Sequence, residues 1–181
     1  MSHCKRLVTA SFFPASVGSR SHRMGFAKAF LFLCLTVIVS SEPVQYKPCY
    51  YTGKSGKLCT VSDVKIEPCP EAAKNEPCKI KRGEYASIAF KYKIEYEPVE
   101  PLKTRAYWAT VLADLPFVGM DTDLCKHTEC PVVKNVDKQF NYTLDISKSF
   151  PAQKFDVKWK IWEEKAGPEK ECCFMFKMKL V

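Results

Sequence analysis

Hydrophobic and polar residues alternate along several short segments of the chain. In residues 88–96, every second residue is apolar or aromatic, and the positions between are mostly lysine and glutamate. A period of two is typical of a β-strand with one buried and one solvated face. The same pattern predicts strands at 140–146, 155–161 and 174–180.

Two less regular segments complete the set of predicted strands. They are residues 60–67 and residues 104–115, and the second is predicted as one strand with Trp108, Thr110 and Leu112 on the same face. No segment has convincing helical spacing. Proline and glycine predict a loop at 98–101 and a hairpin turn at 163–171. The pattern therefore predicts an all-β domain, a sandwich of two antiparallel sheets.

The N-terminal residues have a different pattern. Lys28 is followed by an apolar run at 29–39 and then by small residues, which indicates a signal peptide over 1–41 with an N-terminal extension at 1–23. Eleven apolar residues are too few to span a bilayer of about 30 Å. We therefore expect a secreted chain whose folded domain covers 42–181.

The cysteines indicate disulfides. Of the ten in the sequence, eight lie after position 41, and an even number behind a signal peptide is typical of a disulfide-bonded domain. A zinc site is disfavoured because no C-x-x-C pair exists and His127 is the single histidine of that region. The sequon at Asn141 predicts an N-glycan.

Charge and composition exclude several functions. Residues 1–41 hold five basic residues and no acid, so +3 of the net charge of +8 remains, without a basic cluster. Nucleic acid is therefore not an expected partner. With a single histidine after position 41, a nucleophile–base arrangement is disfavoured, and no enzyme, cofactor or metal is predicted. An acidic loop around His127 fits a solvated loop better than a metal site; its members are Asp121, Asp123 and Glu129.

Large apolar residues are concentrated on the predicted inward faces. Composition alone favours an ordinary core that these side chains fill, since sheets about 10 Å apart are normally packed by their own residues. The residues are Phe90, Tyr92, Trp108, Phe140, Tyr142, Phe155, Trp159, Phe174, Phe176 and Met178.

Short motifs along the domain carry a family resemblance. They are EPVQYKPC at 42–49, EPCP at 67–70, EPCKIKRG at 76–83, LPF at 115–117, the Cys125–Cys130 loop with Pro131, Phe150-Pro151 and Trp159. In order and spacing, over about 130 residues, the chain resembles the ML lipid-recognition domain family, which includes the Niemann-Pick type C2 proteins and the mite group 2 allergens.

The resemblance implies a disulfide pattern. The family's three bridges would correspond to Cys49–Cys173, Cys69–Cys78 and Cys125–Cys130. Cys59 and Cys172 depart from the usual six-cysteine pattern and are expected to pair with each other. Because Cys172 and Cys173 are adjacent, an exchange of their partners stays open.

The resemblance also implies a binding site and reverses the preference for a filled core. It implies an immunoglobulin-like sandwich with a lipid cavity between the sheets. The entrance would be formed by Phe117, Ile146 and Phe150, and the lining by Trp108, Tyr142, Trp159 and Phe176.

The implied function is lipid transport without catalysis. The chain would be a monomer that binds a sterol such as cholesterol, makes transient membrane contact and passes its ligand to a Niemann-Pick type C1-like membrane transporter, in the extracellular space or the lysosome lumen. Two alternatives stay open. One is extracellular recognition of fatty acids, semiochemicals or bacterial lipids in immunity or chemosensation, and the other is an adhesion-type sandwich with a filled core.

Overall fold

The computed structural model of the chain describes residues 42–49, 58–166 and 170–181. The predicted signal peptide at 1–41 and the Gly167-Pro168 part of the predicted hairpin turn lie outside these residues. Within the described ranges, no helix is long and apolar enough to cross a membrane.

The described part of the chain contains nine strands and two short 3₁₀ helices. The strands are β1 (Tyr46–Pro48), β2 (Cys59–Glu67), β3 (Cys78–Ile80), β4 (Tyr85–Ile94), β5 (Leu102–Ala109), β6 (Asp114–Pro116), β7 (Lys138–Asp145), β8 (Lys154–Glu163) and β9 (Glu171–Leu180). The 3₁₀ helices are Pro70–Lys74 and Leu124–Lys126.

The strands form two sheets. The larger sheet has the order β1-β9-β8-β5-β6, and β3 adds to the same sheet by pairing with β9. The smaller sheet has the order β2-β4-β7. All these pairs are antiparallel except β3–β9, which is parallel. The predicted all-β fold with two sheets is confirmed.

Alternation along the strands directs the apolar residues between the sheets. On β4, Phe90 and Tyr92 are buried while Lys91 is exposed. On β8 and β9, Trp159 and Phe174 are buried in the same way. The core therefore consists of the inward faces that the sequence pattern identified.

The prediction of one strand over 104–115 is wrong. β5 ends at Ala109, and the Thr110 side-chain hydroxyl donates to the Ala113 carbonyl (2.5 Å) and accepts from the Ala113 amide (3.1 Å). These bonds close a turn, so β6 runs back antiparallel to β5. Val111 and Leu112, which the prediction placed within a strand, are fully exposed at the tip of this turn.

The described residues form four disulfides, in the expected pairs. Cys69–Cys78 and Cys125–Cys130 close short loops. Cys49–Cys173 ties the segment after β1 to β9 within the larger sheet. Cys59–Cys172 joins β2 to β9 and therefore links the two sheets.

Candidate functional site

Four aromatic rings form a cluster at one end of the sandwich. Trp108 lies at its centre, with its ring centroid 4.2 Å from that of Phe155, 4.6 Å from Phe117 and 5.7 Å from Phe150. The Phe117 and Phe150 centroids are 5.0 Å apart. We call these four residues the rim cluster. It contains three of the seven residues that the sequence analysis assigned to lipid binding.

Strand ends and loops hold the rim cluster in place. Phe117 directly follows β6, and its amide donates to the Ala106 carbonyl of β5 at 2.9 Å. Phe155 is the second residue of β8. Phe150 ends a short turn in which its amide donates to the Ser147 carbonyl (3.2 Å). We call residues 147–150 the rim loop.

Ile146 lies at the base of the rim loop, directly after β7. Its side chain is fully buried. Its backbone extends the β4–β7 ladder by one step, because the Gly83 amide donates to the Ile146 carbonyl (2.5 Å) and the Ile146 amide donates to the Glu84 carbonyl (3.0 Å). Ile146 therefore has a fixed backbone, whereas Phe150 is carried on a turn.

A second group of rings fills the middle of the sandwich. The Phe90 centroid is 4.6 Å from that of Phe140 and 4.9 Å from that of Phe174 in the other sheet. Trp159 lies 5.5 Å from Phe140 and 5.7 Å from Tyr142. We call these five residues the central cluster. Rings from the two sheets meet directly here, so the side chains themselves occupy this part of the interior.

Polar contacts fix the central cluster further. The indole Nε1 of Trp159 donates to the Thr104 hydroxyl (2.9 Å), which donates in turn to the Lys160 carbonyl (3.1 Å). The phenol of Tyr142 accepts a hydrogen bond from the Asp121 amide (2.7 Å), and burial raises the pKa of Tyr142. Both rings are therefore held at their polar ends as well as on their faces.

The predicted site residues thus fall into separate places. Trp108, Phe117 and Phe150 lie in the rim cluster, while Tyr142 and Trp159 lie in the central cluster. Phe176 packs beside the central cluster, 6.1 Å from Phe174. Phe155 was not among the predicted site residues, although its position on the inward face of a predicted strand was a usable signal.

Exposed aliphatic residues surround Phe117. Phe117 itself is buried, but Leu115 and Val118 on either side of it are exposed. The nearby β5–β6 turn presents Val111 and Leu112, whose side chains are almost entirely in solvent. We call Val111, Leu112, Leu115 and Val118 the aliphatic tip. Its position at the rim places an apolar surface beside the ring cluster.

The acidic loop next to the central cluster is internally paired. Asp121 forms an ion pair with Lys126 at 2.7 Å, and this contact lowers the pKa of Asp121. The His127 ring packs on Tyr142 at 4.1 Å, and burial lowers the pKa of His127. These contacts agree with a solvated surface loop.

One side-chain group among the described residues approaches the geometry of a metal site. It consists of Glu100, Cys125 and Cys130. Both sulfurs belong to the Cys125–Cys130 disulfide. They therefore offer no thiolate to a metal ion.

Comparisons with known proteins agree with this architecture. The ML domain family model matches residues 43–180. An MD-2-related lipid-recognition protein of Manduca sexta is 32% identical over 127 residues, which is 70% of this chain and 79% of that protein. The NPC intracellular cholesterol transporter 2 of Bos taurus is 29% identical over 140 residues, covering 76% of this chain and 86% of the relative.

A solved structure has the same fold. The Niemann-Pick type C2 protein from Japanese carpenter ant aligns with a TM-score of 0.62 and 21% identity, over 76% of this chain and 99% of the ant protein. At this level of identity, the similarity concerns the fold. Together with the family match over 43–180, it shows that the chain belongs to the ML domain family.

Proposed function

We propose that this protein is a carrier that binds a sterol between its two sheets and transfers it without covalent chemistry. The rim cluster is the observation that carries the proposal. It closes one end of the sandwich with rings from β5, β8 and two connecting segments, and the aliphatic tip lies beside it. Relatives named as cholesterol transporters and lipid-recognition proteins support the same function.

Apolar surface is sufficient for binding of this kind. Removing ligand surface from water contributes roughly 25 cal/mol per Å², so a few hundred Å² of sterol surface accounts for strong binding without charged groups. The rings of Phe90 and Phe174 are in contact across the interior. A ligand that reaches the middle of the sandwich therefore displaces these rings, while a shallower ligand displaces the rim cluster alone.

The aliphatic tip fits transient contact with a membrane. The Thr110 hydroxyl closes the β5–β6 turn, so Val111 and Leu112 are held outward before any contact forms. Their insertion into a bilayer would bring the rim cluster to the lipid surface. From there the ligand would pass into a membrane or to a Niemann-Pick type C1-like transporter. The carrier would act as a monomer in the extracellular space or the lysosome lumen.

A second function has its own support. The relative with 32% identity is named for lipid recognition rather than transport. Recognition of a fatty acid, semiochemical or bacterial lipid would use the same interior. The bound ligand distinguishes the two functions.

The first experiment identifies that ligand. Native mass spectrometry of the protein purified from its own source is expected to show a bound sterol, and displacement of a fluorescent sterol is expected to confirm the site. A fatty acid or bacterial lipid in the native spectrum would favour the recognition function. A ligand-free protein that does not bind fluorescent sterol would support the filled core and exclude the carrier.

Sterol transfer between vesicles tests the membrane contact. Replacing Val111 and Leu112 by Ser is expected to slow transfer at unchanged equilibrium binding. Val99→Ser is the matched control, because Val99 is also exposed and its amide bonds to Glu163, at the opposite end of β8 from Phe155. Equal transfer by both variants would rule out the tip as the membrane contact.

A further inference from the structure

The rim loop is bound by a side chain from outside it. Arg82, in the connection between β3 and β4, directs its guanidinium at this loop. Its Nη1 donates to the carbonyl of Phe150 at 3.0 Å and to the carbonyl of Lys148 at 3.4 Å. One cationic group thus holds two backbone acceptors of the segment that carries the Phe150 ring.

The backbone of Arg82 is itself anchored to the larger sheet. The Arg82 amide donates to the Val181 carbonyl, and the Val181 amide donates to the Ile80 carbonyl, both at 3.0 Å. These bonds continue the parallel β3–β9 ladder. The rim loop, by contrast, follows β7 of the smaller sheet. The Arg82 side chain therefore connects the two sheets at the rim.

Gly83, directly after Arg82, packs against a side chain of the rim loop. Its φ is +81°, a conformation that glycine adopts without strain. A Cβ at this position would lie 2.5 Å from Cε and 2.8 Å from Cγ of Lys148, because the Lys148 side chain crosses directly over the glycine. The absence of a side chain at Gly83 thus leaves room for the Lys148 side chain of the rim loop.

The rim loop is also bonded within itself. The Ser147 and Ser149 hydroxyls are 2.8 Å apart, and the Ser149 amide donates to the Ser147 hydroxyl at 3.2 Å. A segment closed in this way moves as a unit rather than residue by residue. Its orientation then depends on its base at Ile146 and on the contacts of Arg82.

We propose that Arg82 is a positioning residue that keeps the rim loop closed and thereby sets the rates at which lipid enters and leaves. This inference rests on the proposed carrier function. Arg82 holds the carbonyl of Phe150, which directs the Phe150 ring against Phe117 and Trp108. Because the contact is made to backbone carbonyls and not to the lipid, its loss is expected to change both rates more than it changes affinity.

Stopped-flow binding of a fluorescent sterol tests the rates. In Arg82→Gln, the association and dissociation rate constants are expected to rise together by about tenfold, the effect of losing charge-assisted hydrogen bonds, while Kd stays within about threefold. Arg82→Lys keeps a donor without the planar fork, so its rate constants are expected to lie between those of the wild type and those of Arg82→Gln. Lys81→Gln is the matched control, because Lys81 is exposed and contacts Glu84 instead of the rim loop.

A second measurement needs no ligand. Trp108 lies under Phe117 and Phe150, whereas Trp159 is fully buried in the central cluster. The third tryptophan, Trp162, is only partly buried and would also be quenched. In a Trp162→Phe background, acrylamide quenching of the ligand-free protein therefore reports on the rim. Arg82→Gln is expected to increase quenching, and Lys81→Gln is expected to leave it unchanged.

The two measurements separate failure of this inference from failure of the carrier function. Absence of sterol binding by the wild-type protein would reject the carrier function. Acrylamide quenching would still show whether Arg82 holds the rim loop. A folded Arg82→Gln variant with unchanged quenching would overturn the inference, even if its urea midpoint fell, since that result describes a purely structural residue. If Arg82→Gln does not fold, Arg82→Lys decides on the same readouts.

Discussion

The rim cluster and the central cluster are built from the same residue types but are held differently. Rings of the central cluster extend from the middle of strands in both sheets. Rings of the rim cluster extend mainly from strand ends and from a turn. An aromatic ring in mid-strand is held by its neighbours in the ladder and by the facing sheet. A ring at a strand end is held no more rigidly than the loop that carries it. The central cluster should therefore determine stability, and the rim cluster should determine binding.

Shortening a central ring is expected to have the largest effect on folding. Phe90 contacts Phe140, Trp159 and Phe174 and is fully buried. Phe90→Ala is expected to lower the free energy of unfolding by about 3–5 kcal/mol, measured by urea denaturation. The comparison fails if Phe117→Ala, at the rim, lowers it by the same amount.

Removal of the Cys59–Cys172 disulfide, which links the two sheets, is expected to change stability without changing binding. Cys49–Cys173 already closes a long loop, and Cys59–Cys172 lies only a short distance inside it in sequence. In the chain-entropy view, the added constraint is that of a ring of roughly ten residues, or about 3 kcal/mol.

Replacing Cys59 and Cys172 by Ser is therefore expected to lower stability by about that amount at unchanged sterol affinity. Thermal unfolding and sterol titration of the same sample measure the two quantities. A large loss of affinity in a folded variant would mean that the bridge shapes the binding site.

Shortening a rim ring is expected to affect binding. Burial of a large apolar side chain contributes roughly 1.5–3 kcal/mol, so Phe117→Ala or Phe150→Ala should weaken sterol binding roughly 10- to 100-fold. Displacement of a fluorescent sterol measures this loss, with the urea midpoint as the control for folding. Unchanged affinity in both variants would remove the rim cluster from the site.

Lowering the pH is expected to have the smallest effect on stability. It acts through His127, which packs against the central cluster. Burial lowers the pKa of His127, whose ring packs on Tyr142, while Asp121 and Asp123 act in the opposite direction and Lys126 adds to the lowering. In the unfolded chain, the histidine has its ordinary pKa. The stability contribution of neutral His127 is therefore complete above the unfolded value and is lost as the pH falls through the folded one.

Urea midpoints at about pH 7.5 and about pH 5.5 measure this dependence. The wild-type protein is expected to lose slightly more stability on acidification than His127→Gln, which cannot bind the proton. An identical pH dependence of the two proteins would show that His127 titrates as it does in the unfolded chain.

The strands were predictable wherever a long alternating run existed. The run at 88–96 gave the position and the buried face of β4, and similar runs gave β7, β8 and β9. Three-residue strands such as β1 and β3 are too short to show a period. The turn after Ala109 was missed because Val111 and Leu112 prolong an apolar segment, and the sequence pattern does not reveal that the Thr110 hydroxyl closes a turn.

The set of candidate site residues comes from the family resemblance and stays a prediction, and its division between two clusters was not predictable. Trp108 and Trp159 both lie on inward faces of predicted strands, so nothing local separates a rim ring from a central one. That difference depends on which rings meet across the sheets. The role of Arg82 was equally hidden, because its contacts are to backbone carbonyls more than sixty residues away in sequence.

The pairing of β9 with β1, β3 and β8 also constrains how the domain is made. During synthesis, β2, β4 and β7 are available long before β9, so the smaller sheet can assemble while the larger one lacks a central member. Both cysteines of β9, Cys172 and Cys173, reach their partners only at that late stage. The larger sheet is therefore completed only once β9 is available, and until then the inward face of the smaller sheet lacks β9 as a facing strand.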